Sequence, residues 1–546
     1  MELNRRELLA TFLGVPAALA AGCADRPPML PPAGSIIGGS DAIGHKLRDG
    51  FRPVPAADRW QQVGVVIVGG GIAGLSAAWR LQRAGFDDFV VLELEPEPGG
   101  TSRGGMLNSI PCPWGAHYLP APLGENRALL ALLDEMQIIE GRDADGEPMF
   151  GEQFLCRDPQ ERIFHQGRWY EGLYLHEGET PDDQRQWAEF GRLVDELGTW
   201  RDARGRRGFA IPAAFSSDDP RYVALDQMSM ADWLTAQRFD SERLRWQVDY
   251  ACRDDYGLRP EQTSAWAGLF YFGSRLGGSG ADAQPLLTWP EGNGRLVRHL
   301  SDRVSPRVQT GRAVSEIVPD RRGGEEAEVV CVSRTGEEVT GFRARHILFC
   351  APQFLAPYLI RGYSAARGEV TAEFEYGSWM VANLYLEERP KSIGFPLAWD
   401  NVFYDSPSLG YVTATHQQGI DHGPTVLTYY FPLCDESPRA ARKRLLSLSW
   451  KEWAEVVLSD MQRAHPEIRR LTKRLDVMRW GHAMIRPRPG FRTGTARQFA
   501  AQPFGNIHFA NTDLSGMALF EEAFYQGLRG AEEVLRERGV PFDRMV

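Results

Sequence analysis

Apolar positions along this chain follow two periods. Val63-Gly64-Val65-Val66-Ile67-Val68 is a short β-branched run that predicts a buried strand. Gly69-Gly70-Gly71-Ile72-Ala73-Gly74 interrupts it, and Leu75 to Ala84 continues with the spacing of a helix. A second apolar run, Phe89-Val90-Val91-Leu92, predicts another strand that delivers Glu93. Trp187, Phe190, Leu193, Val194, Leu197 and Trp200 recur at helical spacing, either as an aromatic substrate wall or, preferred, as a core stripe. Leu445, Leu448, Trp453, Val456 and Val457 form a second helical stripe read the same way.

Composition narrows the class. The chain has 546 residues and a formal net charge of −11, with 43% hydrophobic residues. That is globular, with room for several domains. A chain this acidic, with no long basic run, is not expected to bind nucleic acid. The cysteines show no CxxC pair, and the eleven histidines show neither HExxH nor a zinc-type spacing, so no metal site is expected. Gly100-Thr101-Ser102-Arg103-Gly104 matches GxSxG but lies in a glycine loop with no helix directly after it, which makes a nucleophile elbow improbable.

The N-terminus reads as an address. Arg5-Arg6 ahead of the uncharged stretch Leu8 to Gly22 resembles a twin-arginine export signal, used by proteins that fold around a cofactor before crossing a membrane. Ala20-Ala21-Gly22-Cys23 resembles a lipoprotein cleavage box with Cys23 acylated, the usual Leu standing one place early at Leu19. A periplasmic protein is expected, a partner of the twin-arginine machinery, touching membrane only through a lipid on Cys23. Residues 1–23 are the signal, and the Pro/Gly-rich residues 24–60 a tether whose last part lies against the domain.

The strand-glycine-helix unit has the chemistry of a dinucleotide site. Gly69 permits the tight turn, Gly71 lets a pyrophosphate approach the backbone, and Gly74 permits close packing of helix on strand. The phosphates would sit at the helix N-terminus, on Ile72 and Ala73. Glu93 follows Gly74 by 19 residues, close to the roughly 20 expected for the acid that binds a ribose hydroxyl. A free ribose leaves FAD or NAD.

Three segments together choose between them: Glu93-Leu94-Glu95-Pro96-Glu97-Pro98-Gly99-Gly100-Thr101-Ser102-Arg103, then Trp114-Gly115-Ala116-His117-Tyr118, and Ile507 to Asp513 with Phe520 to Ala531 after it. In this order they give the chain a pattern that resembles the flavin-containing amine oxidoreductase superfamily. The resemblance runs from about Val63 to Leu535. It implies an α/β fold, a Rossmann-type, glutathione-reductase-like FAD-binding domain of residues 61–150, 286–354 and 476–546, and an inserted mixed α+β substrate domain of residues 151–285 and 355–475. It implies that Leu94, Gly99, Gly100, Gly115, Ala116 and His117 contact the cofactor, with Thr101 in place of the usual Arg and Arg103 taking over its charge. The middle of the chain is similar too: Thr288-Trp289-Pro290-Glu291-Gly292-Asn293-Gly294-Arg295-Leu296 resembles the family's glycine-rich entry into a helix, Val308 to Ile317 its strand that meets the adenine, with Val314 the expected contact, and Ile347-Leu348-Phe349-Cys350-Ala351-Pro352 its strand that ends beside the phosphates, near Ala351. The resemblance also implies Trp480 as the aromatic residue against the flavin and Asp513 as the acid that binds the ribityl chain or pyrophosphate. The helix starting at Phe520 and Glu521 points its amides at the flavin's pyrimidine edge.

The departures concern substrate. In Gly377-Ser378-Trp379-Met380-Val381, Val381 stands where the family's amine oxidases hold a lysine, and Leu519 stands near their cage tyrosine. No cysteine follows Cys434 to form a thioether, so the FAD is expected to be noncovalent. No base is named; His482 and His117 are the candidates, each also readable as a structural histidine. The expected activity is hydride transfer from a small organic substrate, an amine for instance, to flavin N5, with oxygen or another electron acceptor. The alternatives are desaturation or isomerisation at a C–C bond of an apolar substrate, and a flavin-binding partner subunit without turnover. An NAD-dependent dehydrogenase is disfavoured, because the Asp513 segment has no place in one.

Overall fold

The computed structural model describes residues 32–144, 146–276, 285–320 and 326–546, so the segment expected to be an export signal, with Cys23, lies outside the described residues. Two sheets organise the molecule. The first has seven strands, and its central strands Phe89–Leu92, Trp60–Val68 and Val339–Phe349 run parallel, with Ile507–Phe509 joining beside the last. Arg312–Val318 and Ala327–Ser333 extend it antiparallel. The strand alternation decides its two faces: Val65 and Ile67 pack with the helices Ile72–Arg83, Gly294–Val304 and Phe520–Glu537, while Val66 and Val68 point into a second core beneath. The run expected from Val308 to Ile317 is two strands, Val308–Gln309 and Arg312–Val318, because Gly311 turns through a positive φ between them.

The second sheet has eight strands. Thr472–Ile485, Tyr376–Leu386 and Thr425–Pro432 form its antiparallel centre. Met380, Ala382 and Leu384 face a core sealed by the helices Pro438–Ser447 and Trp450–Gln462; Trp379 and Val381 face the other way. The stripe from Leu445 to Val457 is thus split over two helices. Ser449 breaks it by accepting the Glu452 N–H while the Glu452 carboxylate returns to the Ser449 N–H, a capping box. A helical unit completes the second region, with Phe190 and Val194 of Pro181–Thr199 buried against Glu242–Tyr256 and Ala265–Gly273.

The stretch ahead of residue 60 contributes structure as well as reach. Ile36–Ile37 is an edge strand of the second sheet, parallel to Val477–Met478, and the helix Asp41–Arg48 buries Ile43 and Leu47. Among the described residues no helix is long and apolar enough to cross a membrane.

Candidate functional site

The glycine turn after Val68 is tightly held. Gly69 has φ +100°, and a Cβ on Gly74 would lie 1.9 Å from the Gly69 carbonyl oxygen, so helix and turn touch backbone to backbone. Gly71 is the opposite case: a Cβ there would meet nothing within 4 Å. The first turn of the Ile72–Arg83 helix therefore presents free amides to open space, the shape that a pyrophosphate fills. Gly99 closes the far side by donating its N–H to the Gly70 carbonyl at 2.8 Å, and both Gly99 and Gly100 have positive φ. The Glu93 carboxylate accepts from the Gly70 N–H and the Glu95 N–H, each at 2.7 Å, while burial raises its pKa. This donor set fits a dinucleotide.

The other expected residues fall around the same region with different aims. The Thr101 carbonyl accepts the Ala116 N–H at 2.9 Å, joining the two glycine loops. Gly115, Ala116 and His117 line the adjoining cavity. Ala351 follows Cys350, whose N–H is held by the Val68 carbonyl. Val314 is buried beside a β-bulge, and Leu94 packs toward Ile43 and Leu47. Arg103 turns its guanidinium toward Met478 and the Trp480 ring, 5.7 Å from the ring centroid, and so fixes that indole from behind. Asp513 is buried with Oδ2 accepting the Gln353 N–H at 2.7 Å and the Tyr376 hydroxyl at 2.5 Å, and its pKa is pushed up to about 6 by burial.

Between the two sheets lies a cavity of about 140 Å³. Its apolar wall comes from Trp379, Val381, Trp480, Ala483 and Met484, with Leu519 and Phe520 at the start of the last helix. The Trp480 Nε1 donates to the Trp114 carbonyl at 2.6 Å, and the Tyr430 hydroxyl to the Gly115 carbonyl at 2.8 Å. His117 lines this wall, 4.8 Å from the Tyr430 ring, and burial lowers its pKa to about 4, so it is neutral at physiological pH. His482 does not line it. Three residues, Gly481 to Ala483, bulge against the single Ser378, and His482 is turned outward onto the Phe354 ring at 4.0 Å.

Opposite the apolar wall the cavity is acidic, and sequence reasoning missed this. Asp254 and Asp255 stand in the last turn of the Glu242–Tyr256 helix, where the carbonyl ends already carry negative partial charge. Arg275 donates to both oxygens of Asp255 at 2.8 Å, and is the positive charge of this wall. Asp254 has Asp255 and Asp400 as neighbours, and burial with their charge raises its pKa well above the carboxylate range. Behind it, Asp400 and Glu161 are each pushed up to about 7, first by burial, then by acidic neighbours. Glu521 lines the cavity too, raised to about 7 by burial. The signal in the sequence was the adjacent acid pair at a helix C-terminus, a placement that costs stability.

The glycine cradle thus adjoins a cavity lined from both sheets, the layout of a protein that holds a dinucleotide beside a second, enclosed space. The chain belongs to the flavin containing amine oxidoreductase family, whose model matches residues 72–535. It is 27% identical over 292 residues to AofH of Mycobacterium tuberculosis, which carries the name of a flavin-containing monoamine oxidase; the match covers 51% of this chain and 56% of that protein. Oxidoreductase PigB of a Serratia strain is 22% identical over 290 residues, covering 50% and 40%. The chain thus matches about half the length of these curated relatives. Among solved structures, putrescine oxidase superposes with a TM-score of 0.61 at 16% identity, covering 87% of this chain and all of that one. Cyclohexylamine oxidase from Brevibacterium oxydans gives 0.59 at 16% identity, covering 88% and 100%. A fatty acid isomerase from P. acnes gives 0.59 at 15%, covering 87% and 98%. These likenesses establish the fold: a Rossmann-like cofactor domain with a substrate domain.

Proposed function

We propose that this enzyme binds FAD noncovalently and oxidises a small amine that enters the cavity as a cation. The open space at Gly71 and the buried acid at Glu93 support a dinucleotide with a free ribose. All six described cysteines are buried, and none lines the cavity, which supports a noncovalent link. The observation that carries the substrate class is the acidity of the cavity: Asp254, Asp255 and Glu521 line it, and Arg275, its one lining arginine among the described residues, is paired to Asp255.

Bound FAD supplies a two-electron acceptor for the C–H bond beside the substrate nitrogen. The chain supplies the rest. An ammonium group cannot release hydride from its neighbouring carbon until the nitrogen has lost a proton. The cation displaces to solvent the proton that burial, Asp255 and Asp400 hold on Asp254, and the carboxylate so formed pairs with the ammonium and then accepts its proton. Trp379, Tyr430 and Trp480 wall the reacting carbon and keep water out. The amide-bearing start of the Phe520–Glu537 helix stabilises negative charge that develops beside it. Arg103 and the Trp114 carbonyl hold Trp480 in place.

The test is anaerobic mixing with primary amines, diamines and amino acids against neutral alcohols of matched shape. Bleaching of the flavin band by amines alone is expected; bleaching by none of them would overturn the amine reading. A second reading, C–C desaturation or isomerisation, is favoured by one observation. Val381, at 1% exposure, presents an isopropyl group where the family's amine oxidases place a lysine. The fatty acid isomerase shows that this fold hosts such a reaction in another protein. Conversion of an unsaturated fatty acid without net flavin reduction would select it. We also propose export by the twin-arginine route to the periplasm and a lipid on Cys23, checked by the mass of the mature N-terminal peptide.

A further inference from the structure

The outer edge of the nucleotide sheet carries a second cluster that the flavin chemistry does not use. His346 lies on the strand Val339–Phe349, and His508 on the parallel neighbour Ile507–Phe509. Glu537 is the last residue of the helix Phe520–Glu537 that crosses above them. One Glu537 oxygen, Oε2, lies 3.4 Å from His346 Nδ1 and 3.3 Å from His508 Nε2. One nitrogen from each ring and this carboxylate oxygen all fall within 4.8 Å of one another.

The arrangement is not a hydrogen-bonded one. His346 Nδ1 and His508 Nε2 are both buried atoms without a hydrogen-bond partner, and the His508 side chain is 2% exposed. Buried polar nitrogens are nearly always satisfied, so two orphans aimed at one carboxylate oxygen need an account. The other nitrogen of His508 supplies it. His508 Nδ1 is 3.2 Å from Glu533 Oε2, and Glu533 is itself held by Arg529. A ring that donates from Nδ1 to a carboxylate keeps its lone pair on Nε2, the carboxylate-histidine arrangement that orients metal ligands. Nitrogen-to-oxygen separations of this size match the edge of a tetrahedron whose metal bonds are about 2.0–2.1 Å.

We propose that His346, His508 and Glu537 bind one divalent transition-metal ion of the zinc type, with a fourth position open to water on the exposed side of Glu537. Two imidazoles and one carboxylate select zinc, cobalt or nickel over magnesium and calcium. The ion would tie the last turn of the final helix to two strands of the sheet. The sequence could not display the site, because its ligands stand at positions 346, 508 and 537 with no local spacing.

The test uses flavin-loaded protein without a histidine tag, treated with chelator and dialysed, then titrated with Zn²⁺ and separately with Co²⁺ as a spectroscopic reporter. One Zn²⁺ per chain is expected, with a tetrahedral cobalt band displaced by Zn²⁺ and not by Mg²⁺, and a rise in melting temperature on loading. His508→Gln and Glu537→Gln should each abolish the cobalt band, and Glu533→Gln should weaken binding by about 10-fold or more. Glu537 is half exposed, so its variant is expected to fold, and an unchanged flavin spectrum checks this. No stoichiometric zinc, or zinc binding that survives both ligand variants, would overturn the proposal.

Discussion

The nucleotide cradle and the acidic wall of the cavity meet the same reaction space but are assembled differently. The cradle is backbone from one continuous stretch, Val68 to Gly100, and its selectivity comes from missing side chains. The acidic wall gathers Asp254, Asp255 and Glu521 from distant segments, with Asp400 and Glu161 behind them, and burial raises the proton affinity of Asp254, Asp400, Glu161 and Glu521. A cofactor shared by many chemistries can be held by a fixed local motif. A particular substrate is met by side chains that only the tertiary fold brings together.

The largest effect that would separate the two designs is at Gly74. Gly74→Val sets side-chain atoms against the Gly69 carbonyl and should destabilise the protein by more than about 3 kcal/mol, leaving little soluble yellow protein. Gly71→Ala, with no neighbour in reach and an ordinary φ of −72°, should keep the fold and its melting temperature while losing flavin. Thermal melts paired with flavin absorbance per chain check both. Equal loss of fold at the two positions would break the distinction between a packing glycine and a cofactor glycine.

At the acidic wall, Asp254→Asn should retain flavin but lower kcat/KM for a cationic amine by about 100-fold or more, the cost of removing a charged partner. A neutral substrate should be affected far less. Parallel steady-state kinetics on the two substrates decide it.

A smaller effect is the pH dependence of stability. Asp400, Glu161 and Glu521 titrate near 7 when folded, above their unfolded range. A carboxyl with a raised folded pKa favours folding below its unfolded pKa and loses that advantage as pH rises through the folded value. Denaturant unfolding should therefore show stability falling between about pH 4 and pH 7. Asp400→Asn should remove on the order of 2 kcal/mol of that fall, since Asp400 and its neighbour Glu161 share the effect.

The smallest is a control outside both regions. Ser449→Ala removes a helix cap in the substrate domain and should cost about 1 kcal/mol with no change in kcat/KM, as urea unfolding and kinetics will show.

These contrasts also explain how much of the molecule is legible in its sequence. The strands before Gly69 and Glu93 and the helix from Ile72 follow from local periodicity and glycine geometry, while the helix from Phe520 was legible only through the family resemblance. His482 could not be assigned a side, because the bulge opposite Ser378 shifts the face of its strand. Arg103 also lies against Met478 and the Trp480 ring, contacts from a distant strand that local spacing does not display. The split of the Leu445 to Val457 stripe was written locally, in Ser449 and Glu452 three residues apart.

The edge strand Ile36–Ile37 matters for biosynthesis. Its partners, Val477 and Met478, are separated from it by most of the chain. During translation this early segment must wait, unpaired, until nearly the whole polypeptide has left the ribosome. Closing so long a loop contributes little to the rate-limiting nucleus, so the segment docks late, after both sheets exist. The docked N-terminal segment thus reports a finished molecule, and protease protection around Ile36 would serve as a clock for the completion of folding.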